Sequence, residues 1–244
     1  MSGGDAAEFD RCAARYDEQR PVDDAWWEIY DRLVELGQLR GARVLELGCG
    51  TGRLSQALAD RARARVWAVD ESEAMVAQAR SRDVNARVAR AELLPFKAGW
   101  FDAVVIRMAL HLFDGPRALA QSARVLAPDG RIVVATEDPE RFDEVWFARY
   151  FPSVPEIDRG RFPDAATLEA QLHAAGMQNV RIERLRQQRT ISRERALDLI
   201  TSKAYSTFAR IAPDEYVEGL ARAEAELAAT FDYGFDWLLV AAVR

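Results

Sequence analysis

Short runs of apolar and β-branched residues alternate with longer amphipathic segments through the first half of the chain. The runs predict β-strands, at residues 43–47, 65–69, 86–89, 103–106 and 131–135. The segments between them are rich in Ala, Gln, Arg and Leu, which favour helix, and lie at residues 54–61, 72–80 and 117–126. Strand and helix alternating at this spacing predict a parallel sheet covered by helices on both faces.

The same patterns predict elements on either side of this alternation. A helix is expected over residues 23–36, because Asp23 or Asp24 can cap its start and Gly37 can end it. Its apolar stripe is formed by Trp27, Tyr30, Leu33 and Val34. The remaining predicted elements are a helix at residues 164–175 and strands at residues 179–190 and 235–243.

Two segments fall outside the alternation. Residues 137–162 are aromatic and interrupted by prolines, and the spacing of Phe142, Trp146 and Tyr150 puts these three on one face of a helix. Residues 192–231 predict two helices. The apolar stripe of the second helix is expected to consist of Val217, Leu220, Leu227 and Phe231.

A glycine-rich turn, VLELGCGTG, follows the first predicted strand. Such backbone can approach a ligand closely, and α/β sheets bind ligands at the carboxyl ends of their strands. Dinucleotide-binding turns space their glycines as G-x-G-x-x-G, whereas the third such position here is Arg53. Glu46 precedes the first glycine by two positions and would attract a cationic ligand more than a pyrophosphate. The alternative is a tight turn with glycines placed by chance.

Asp70 ends the second predicted strand, in VWAVDES. A carboxylate there can accept both hydroxyls of a ribose. It can equally serve as the N-cap of the helix expected over residues 72–80, and the two roles are compatible.

Composition narrows the classes of protein. The 244 residues are 49% hydrophobic and 30% charged, as in globular domains, and the formal net charge of -6 means that nucleic-acid binding would need a local basic patch. The two cysteines, Cys12 and Cys49, are too few for a disulfide framework. With neither a membrane-length apolar run nor a signal peptide in the sequence, we expect a cytoplasmic protein.

Together these motifs resemble those of the class I S-adenosylmethionine-dependent methyltransferases. The resemblance is carried by VLELGCGTG, VWAVDES, AELLPFKAGWFDAVV and RVLAPDGRIVV. FDRCAARYDEQRP resembles the lid helix of the small-molecule branch, which contains quinone-biosynthesis and natural-product enzymes. The resemblance implies S-adenosyl-L-methionine as cofactor. It also implies an α/β, doubly wound, Rossmann-like sheet of seven mostly parallel strands with an antiparallel last strand, a helical lid and insertions.

By position, the resemblance also implies a set of cofactor-binding residues. Gly48, Gly50 and Gly52 would lie against the methionine moiety and adenosine, Glu46 would orient the methionine ammonium, and Asp70 would hold the ribose. The other implied members are Tyr16 and Arg20 from the lid, Glu71, Met75 near the adenine, the backbone amide of Ala91, Glu92, and Arg107 at the methionine end. Arg20 is a candidate partner for the methionine carboxylate or else an exposed arginine.

The chain departs from this family at Arg90, where the family usually has an aspartate that accepts the adenine amino group. Arginine only donates hydrogen bonds and cannot take that role. Either Glu92 replaces the aspartate or the amino group faces water.

Catalytic groups are harder to identify, because positioning and desolvation can supply most of the acceleration of methyl transfer. His111, in MALHLFDG, is the best candidate for a general base, with a structural histidine as the alternative. His173 is expected at the surface and Cys49 in packing. No residues have metal-ligand spacing, so no metal is expected.

We expect one domain over residues 1–244, with N-terminal lid helices at 1–37 and a cofactor-binding half at 38–136. Insertions at 137–163 and 192–231 would face the substrate. Their aromatic residues, among them Trp146, Tyr150 and Tyr205, are expected to bind a small, largely apolar or aromatic acceptor, although they could also pack as core. The acceptor atom would be O, N or C, and the enzyme a monomer or homodimer without nucleic-acid or membrane partners.

Two other functions remain open at this level. A nucleic-acid methyltransferase could use the same fold, but IRMALH stands where base-modifying enzymes resemble one another in an Asn/Asp-Pro-Pro-Tyr/Phe motif. A catalytically silent cofactor-binding subunit would keep the glycine turn and Asp70.

Overall fold

The computed structural model describes residues 9, 10, 13 and 15–244. The chain divides into two compact units. Unit 1 comprises the residues up to Thr136, Ala165–Glu183 and Leu238–Arg244, and unit 2 comprises Glu137–Asp164 and Arg184–Trp237. Unit 2 therefore contains both segments that fall outside the strand and helix alternation.

Seven strands form one sheet. They are β1 (Arg43–Leu47), β2 (Arg65–Asp70), β3 (Ala86–Val88), β4 (Phe101–Arg107), β5 (Leu126–Glu137), β6 (Gln178–Ser192) and β7 (Thr230–Val243). Their order is β3-β2-β1-β4-β5-β7-β6. The pairs among the first five strands are parallel. All seven predicted strands are present, and the sheet order reverses at β1 and β4, where such sheets bind ligands.

β7 runs antiparallel to β5, its neighbour in the sheet. At one end of the pair Asp138 N donates to Asp236 O at 2.9 Å, and at the other Arg244 N donates to Gly130 O at 2.9 Å. Residue numbers rise on one strand as they fall on the other, which is the antiparallel arrangement. The prediction of a seven-stranded, mostly parallel sheet with an antiparallel last strand is confirmed.

Eight α-helices lie between Asp24 and Glu226. They are α1 (Asp24–Gly37), α2 (Arg53–Ala62), α3 (Glu73–Ser81), α4 (Gly115–Val125), α5 (Val154–Arg159), α6 (Ala165–Ala174), α7 (Arg193–Thr201) and α8 (Pro213–Glu226). Asp23 is the cap of α1, where its side chain accepts from Trp26 N at 2.8 Å. Gly37 still belongs to α1, and Gln38 ends the helix in the left-handed conformation.

The helix expected through Phe142, Trp146 and Tyr150 is wrong. A short 3-10 helix covers Pro139–Glu144, and turns follow it. The short helix starts where the Asp138 side chain accepts from Glu140 N, and it stops because Val145 takes an extended backbone.

The expected apolar stripe of α8 is present only in part. Leu220, and Leu227 directly after the helix, pack in an apolar core, whereas Val217 is 67% exposed and Phe231 lies in β7. The buried residues of α8 are Gly219 and Ala223. A Cβ atom at Gly219 would lie 2.4 Å from the Phe151 ring, so α8 packs closely through its smallest side chains.

Each unit has its own core. In unit 1, fully buried residues of the central strands, such as Val104 and Ile132, pack with Leu119 of α4 and Leu168 of α6. The core of unit 2 is aromatic, and its members include Trp146, Phe147, Tyr150, Phe151 and Phe208. Across the described residues, the helices are too short or too polar to cross a membrane.

Candidate functional site

A pocket opens in unit 1 at the carboxyl ends of β1, β2 and β4. Its empty volume is about 580 Å³, a figure that includes space open to solvent. It is lined by Phe9, Tyr16, Gly48, Gly50, Val69, Asp70, Glu71, Met75, Ala89, Ala91, Arg107, Met108, Ala109, Leu112 and Phe113. Eight of the residues that the sequence analysis assigns to the cofactor are in this lining: Tyr16, Gly48, Gly50, Asp70, Glu71, Met75, Ala91 and Arg107.

The three glycines of the turn have different surroundings, although all take positive φ angles. A Cβ atom on Gly50 would meet only Tyr16 Cε1, at 4.0 Å, so this residue presents bare backbone to open space in the pocket. At Gly48 a Cβ atom would lie 2.4 Å from Ala109 Cβ. At Gly52 it would lie 2.9 Å from the Ala79 backbone in α3, and Gly52 is outside the lining. Gly52 therefore serves the packing of α2 and α3.

Asp70, the last residue of β2, bonds to the glycine turn and to the start of α3. Its Oδ2 accepts from Gly50 N at 2.8 Å, and its Oδ1 accepts from Ser72 N at 3.0 Å. Burial raises the pKa of Asp70, while these backbone donors lower it. The N-cap of α3 is Ser72, whose Oγ accepts from Met75 N at 3.1 Å, so Asp70 is not itself the cap. Asp70 lies in the lining next to Glu71, with its carboxylate fixed by the glycine turn.

Glu46 lies in β1 outside the pocket lining and is only 3% exposed. Burial raises its pKa to about 8, while a hydrogen bond from Ser55 Oγ and the charge of Arg107 lower it. The carboxyl group is therefore largely protonated at neutral pH. A further cation nearby would favour its ionised form. Arg107 is in the lining, with its Cζ 5.2 Å from the Trp26 ring centroid.

The helical residues 15–19 attach to the glycine turn through Asp17, which the sequence analysis did not identify. Thr51 Oγ1 donates to Asp17 Oδ1 at 2.7 Å, Arg53 Nε lies 3.1 Å from the same oxygen, and Arg82 Nη2 pairs with Oδ2. Arg53 also donates to the backbone oxygens of Asp17 and Arg20. The one available signal was an acidic residue directly after Tyr16, in a segment that resembles a lid.

Two more residues of this N-terminal segment reach the site. Phe9 lines the pocket with its ring centroid 6.4 Å from that of Tyr16. Asp10 Oδ1 accepts hydrogen bonds from Ser72 Oγ and from Ala74 N, at the start of α3. Arg20 places its Cζ 3.9 Å from the Tyr16 ring centroid and is outside the lining. Cys12 lies outside the described residues.

Glu92 and Arg90 form a pair beside the pocket. Glu92 Oε1 accepts from Asp114 N at 2.9 Å, and its side chain is 7% exposed. Arg90 Nε lies 3.4 Å from Glu92 Oε2, and the Arg90 side chain is 54% exposed. Neither residue is in the lining, although Ala91 between them is.

The two histidines and Cys49 lie outside the pocket lining. His111 is partly buried in a 3-10 helix, between Leu110 and the lining residue Leu112. His173 is half-exposed, with Nδ1 3.1 Å from Met177 O. Among the described residues no group of His, Cys, Asp and Glu has the arrangement of a metal site. Cys49 is buried in a small apolar cluster with Val76 and Ala79.

The aromatic residues predicted to bind substrate belong to unit 2. Trp146 is 9% exposed and Tyr150 2% exposed, and both are in its aromatic core. Tyr205 is partly buried and stacks on Phe147 with ring centroids 5.2 Å apart. Trp146 and Tyr150 therefore pack as core residues, which is the alternative to substrate binding that the sequence analysis left open.

Known proteins resemble this chain in sequence. A family described as a methyltransferase domain matches residues 45–134. The malonyl-[acyl-carrier protein] O-methyltransferase of Geobacter sulfurreducens is 34% identical over 187 residues, which are 71% of this chain and 70% of that protein. The demethylmenaquinone methyltransferase of a Mycobacterium species is 31% identical over 202 residues, which are 72% of this chain and 86% of that protein.

Solved structures show the same fold. A protein described as a methyltransferase from an antibiotic biosynthesis pathway of Anabaena variabilis has a TM-score of 0.71 at 23% identity, over 91% of this chain and 99% of that one. Phosphoethanolamine N-methyltransferase 2 of Haemonchus contortus, in complex with S-adenosyl-L-methionine, has a TM-score of 0.64 at 18% identity. That match covers 96% of this chain and 57% of the Haemonchus protein.

Proposed function

Since the chain belongs to the S-adenosyl-L-methionine-dependent methyltransferases, we propose that it methylates an oxygen, nitrogen or carbon atom of a small, largely apolar or aromatic molecule. The family resemblance noted in the sequence is confirmed, and S-adenosyl-L-methionine is the cofactor. The observation that carries the proposal is the pocket at the ends of β1, β2 and β4, where bare glycine backbone and Asp70 meet.

The residues of the pocket fit this cofactor. Gly50 leaves free the space that a side chain would fill. Next to this space, Asp70 and Glu71 supply acceptors for ribose hydroxyls. S-adenosyl-L-methionine, when bound, supplies a methyl group on a sulfonium that is already an activated leaving group. The chain's contribution is to bind and orient it and to exclude water.

At the methionine end the candidates are Glu46 and Arg107. Glu46 lies one residue before Leu47 at the end of β1, and its burial makes its charge sensitive to a cation such as the methionine ammonium. Arg107 is a donor that could pair with the methionine carboxylate. Tyr16 and Phe9 would close the pocket from the N-terminal segment.

Several facts support a small acceptor. The named relatives act, by their names, on malonyl-[acyl-carrier protein] and on demethylmenaquinone, and neither is a nucleic acid. The chain is acidic overall, and arginines of its edge strand β6 are paired, as Arg184 is with Asp138 and Arg186 with Glu144. Tyr205 remains a candidate for acceptor binding, His111 for the general base, and a monomer or homodimer in the cytoplasm for the working form.

Two measurements test the proposal. Calorimetry should detect binding of S-adenosyl-L-methionine and of S-adenosylhomocysteine but not of NAD. Label from the methyl group should then transfer to at least one member of a panel of phenols, amines and carboxylic acids, with tRNA and duplex DNA as comparison acceptors. Asp70→Ala should weaken cofactor binding by about 1–3 kcal/mol, because polar groups lose their partner. Transfer to nucleic acid alone would refute the small-molecule acceptor.

A further inference from the structure

The pocket is chemically divided. Among the described residues of its lining the carboxylates are Asp70 and Glu71, which are adjacent at the end of β2. The rest of the lining near β3 and the 3-10 helix is apolar, and consists of Val69, Met75, Ala89, Ala91, Leu112 and Phe113. This apolar part suits the faces of a flat ring, and it offers no side-chain acceptor to an amino group on the ring's edge.

Two acids outside the lining directly follow residues of this apolar part, Asp114 after Phe113 and Glu92 after Ala91, and both are bound elsewhere. Asp114 Oδ1 accepts from Arg117 N at 3.3 Å. Glu92 has two partners. Its Oε1 holds Asp114 N, at the start of α4, at 2.9 Å, and its Oε2 lies near Arg90 Nε. The side chain is 7% exposed. Turning it toward the pocket would break the bond that ties the turn at residues 90–92 to α4. Arg90 itself carries donors only.

We propose that the pocket holds the nucleobase of its cofactor by apolar contact and by backbone atoms, and that the 6-amino group of adenine contributes little to binding. This inference rests on the proposed function, because it concerns the same pocket. The backbone amide of Ala91, which the sequence resemblance assigns to the adenine edge, lies in this apolar part and can bond a ring nitrogen. A site that makes no bond to a group discriminates weakly against ligands that lack it.

The test is calorimetry with two ligands. One is S-adenosylhomocysteine, and the other is its 6-deamino analogue, with purine in place of adenine. The analogue loses only the amino group and keeps the ring nitrogens. We expect dissociation constants within about threefold of each other, whereas a carboxylate acceptor would make the analogue weaker by about 10-fold to 100-fold. A loss of that size would overturn the inference.

Failure of the proposed function and failure of this inference give different binding results. If neither ligand binds, the proposed function falls and this inference falls with it. If S-adenosylhomocysteine binds and the analogue does not, the function stands and the inference alone is overturned.

Substitutions at residue 90 provide a second, independent measurement. Arg90→Asp introduces an acceptor and should make the protein prefer S-adenosylhomocysteine over the analogue by about fivefold or more. The matched control, Arg90→Ala, removes the guanidinium without adding an acceptor and should leave the ratio near that of the unaltered protein. A changed ratio in Arg90→Ala would show that Arg90 reads the nucleobase. That result would overturn the inference. An unchanged ratio in Arg90→Asp would show that residue 90 lies away from the nucleobase, and it would agree with the inference that no side chain there binds the amino group.

Discussion

The hydroxyl of Thr51, inside the glycine turn, donates to Asp17 of the N-terminal helical segment at 2.7 Å. Asp17 also pairs with Arg53, the first residue of α2, and with Arg82, which follows α3. One carboxylate therefore fastens the segment that carries Tyr16 to the turn and to two helices of the cofactor-binding sheet.

Replacing Asp17 should loosen this fastening. Asp17→Ala leaves two arginines and a hydroxyl without their shared acceptor, so we expect weaker cofactor binding by about tenfold, mainly through faster release. Stopped-flow fluorescence with S-adenosylhomocysteine measures the rate, and limited proteolysis reports on the segment. Asp24→Ala, at the start of α1, is the matched control and should change neither. An unaltered release rate in Asp17→Ala would mean that the fastening does not retain the cofactor.

Glu46 should make the stability of the ligand-free protein depend on pH. Its pKa is raised to about 8 from 4.5, so the folded state holds a proton that the unfolded state has lost. The stabilisation is fully present below the unfolded value and is lost as pH rises through about 8. The free energy of unfolding should thus fall by about 1.4 kcal/mol per pH unit within that window for each such group.

Urea unfolding at pH 5, 6, 7 and 8 checks this dependence. Glu46→Gln should remove the part of this pH dependence that Glu46 contributes to the free energy of unfolding. It should also raise stability at pH 8 relative to the unaltered protein. Glu137 in unit 2 offers a parallel case, because burial, Asp158 and Asp236 raise its pKa to about 8 as well. Glu137→Gln should flatten the profile independently. A Glu46→Gln profile that is as steep as that of the unaltered protein would contradict the assignment.

The same group should couple cofactor binding to proton release. A bound ammonium or sulfonium favours the ionised form of Glu46, so affinity should rise from pH 6 to pH 8. Calorimetry in buffers of different ionisation enthalpy should then detect release of up to about one proton near neutral pH. In Glu46→Gln the buffer dependence should disappear. Persistence of the same proton release in that variant would assign it to another group.

His111 is the residue whose role depends on the acceptor. If it removes a proton from the nucleophile, His111→Gln should lower turnover by about 100-fold with little change in cofactor affinity. His173→Gln is the matched control, since His173 is half-exposed on α6. Turnover that is unchanged by His111→Gln across the pH range would leave His111 a structural role in the turn after β4.

The sequence predicts the parts of this molecule in which local pattern and burial agree. β1 has the predicted bounds, because every residue from Val44 to Leu47 is buried and the glycine turn ends the run. The sequence also predicts the positions of Gly50 and Asp70 in the pocket, because these residues lie at the ends of two predicted strands.

What the sequence could not predict depends on contacts between distant residues. Arg82 reaches Asp17 across 65 positions, and no local pattern links the two. The spacing of Phe142, Trp146 and Tyr150 is helical, but the extended backbone of Val145 ends the short 3-10 helix before Trp146. In α8 the prediction fails at Val217, which is exposed, and it misses Gly219, which packs closely against Phe151.

In the glycine turn, Gly50→Ala and Gly52→Ala should separate an effect on cofactor binding from an effect on helix packing. Both Gly50 and Gly52 have positive φ, so alanine costs backbone strain at each of them, on the order of 1 kcal/mol. At Gly50 the added methyl group enters open space in the pocket, and we expect cofactor affinity to fall by about tenfold or more with a modest loss of stability. At Gly52 the methyl group would lie 2.9 Å from the Ala79 backbone, so α2 and α3 must separate. Gly52→Ala should therefore lower stability by about 2–4 kcal/mol. Thermal unfolding without ligand and calorimetry with S-adenosylhomocysteine separate the two effects. The same ratio of affinity loss to stability loss in both variants would mean that the two glycines do not differ in role, and that Gly50 does not face the cofactor.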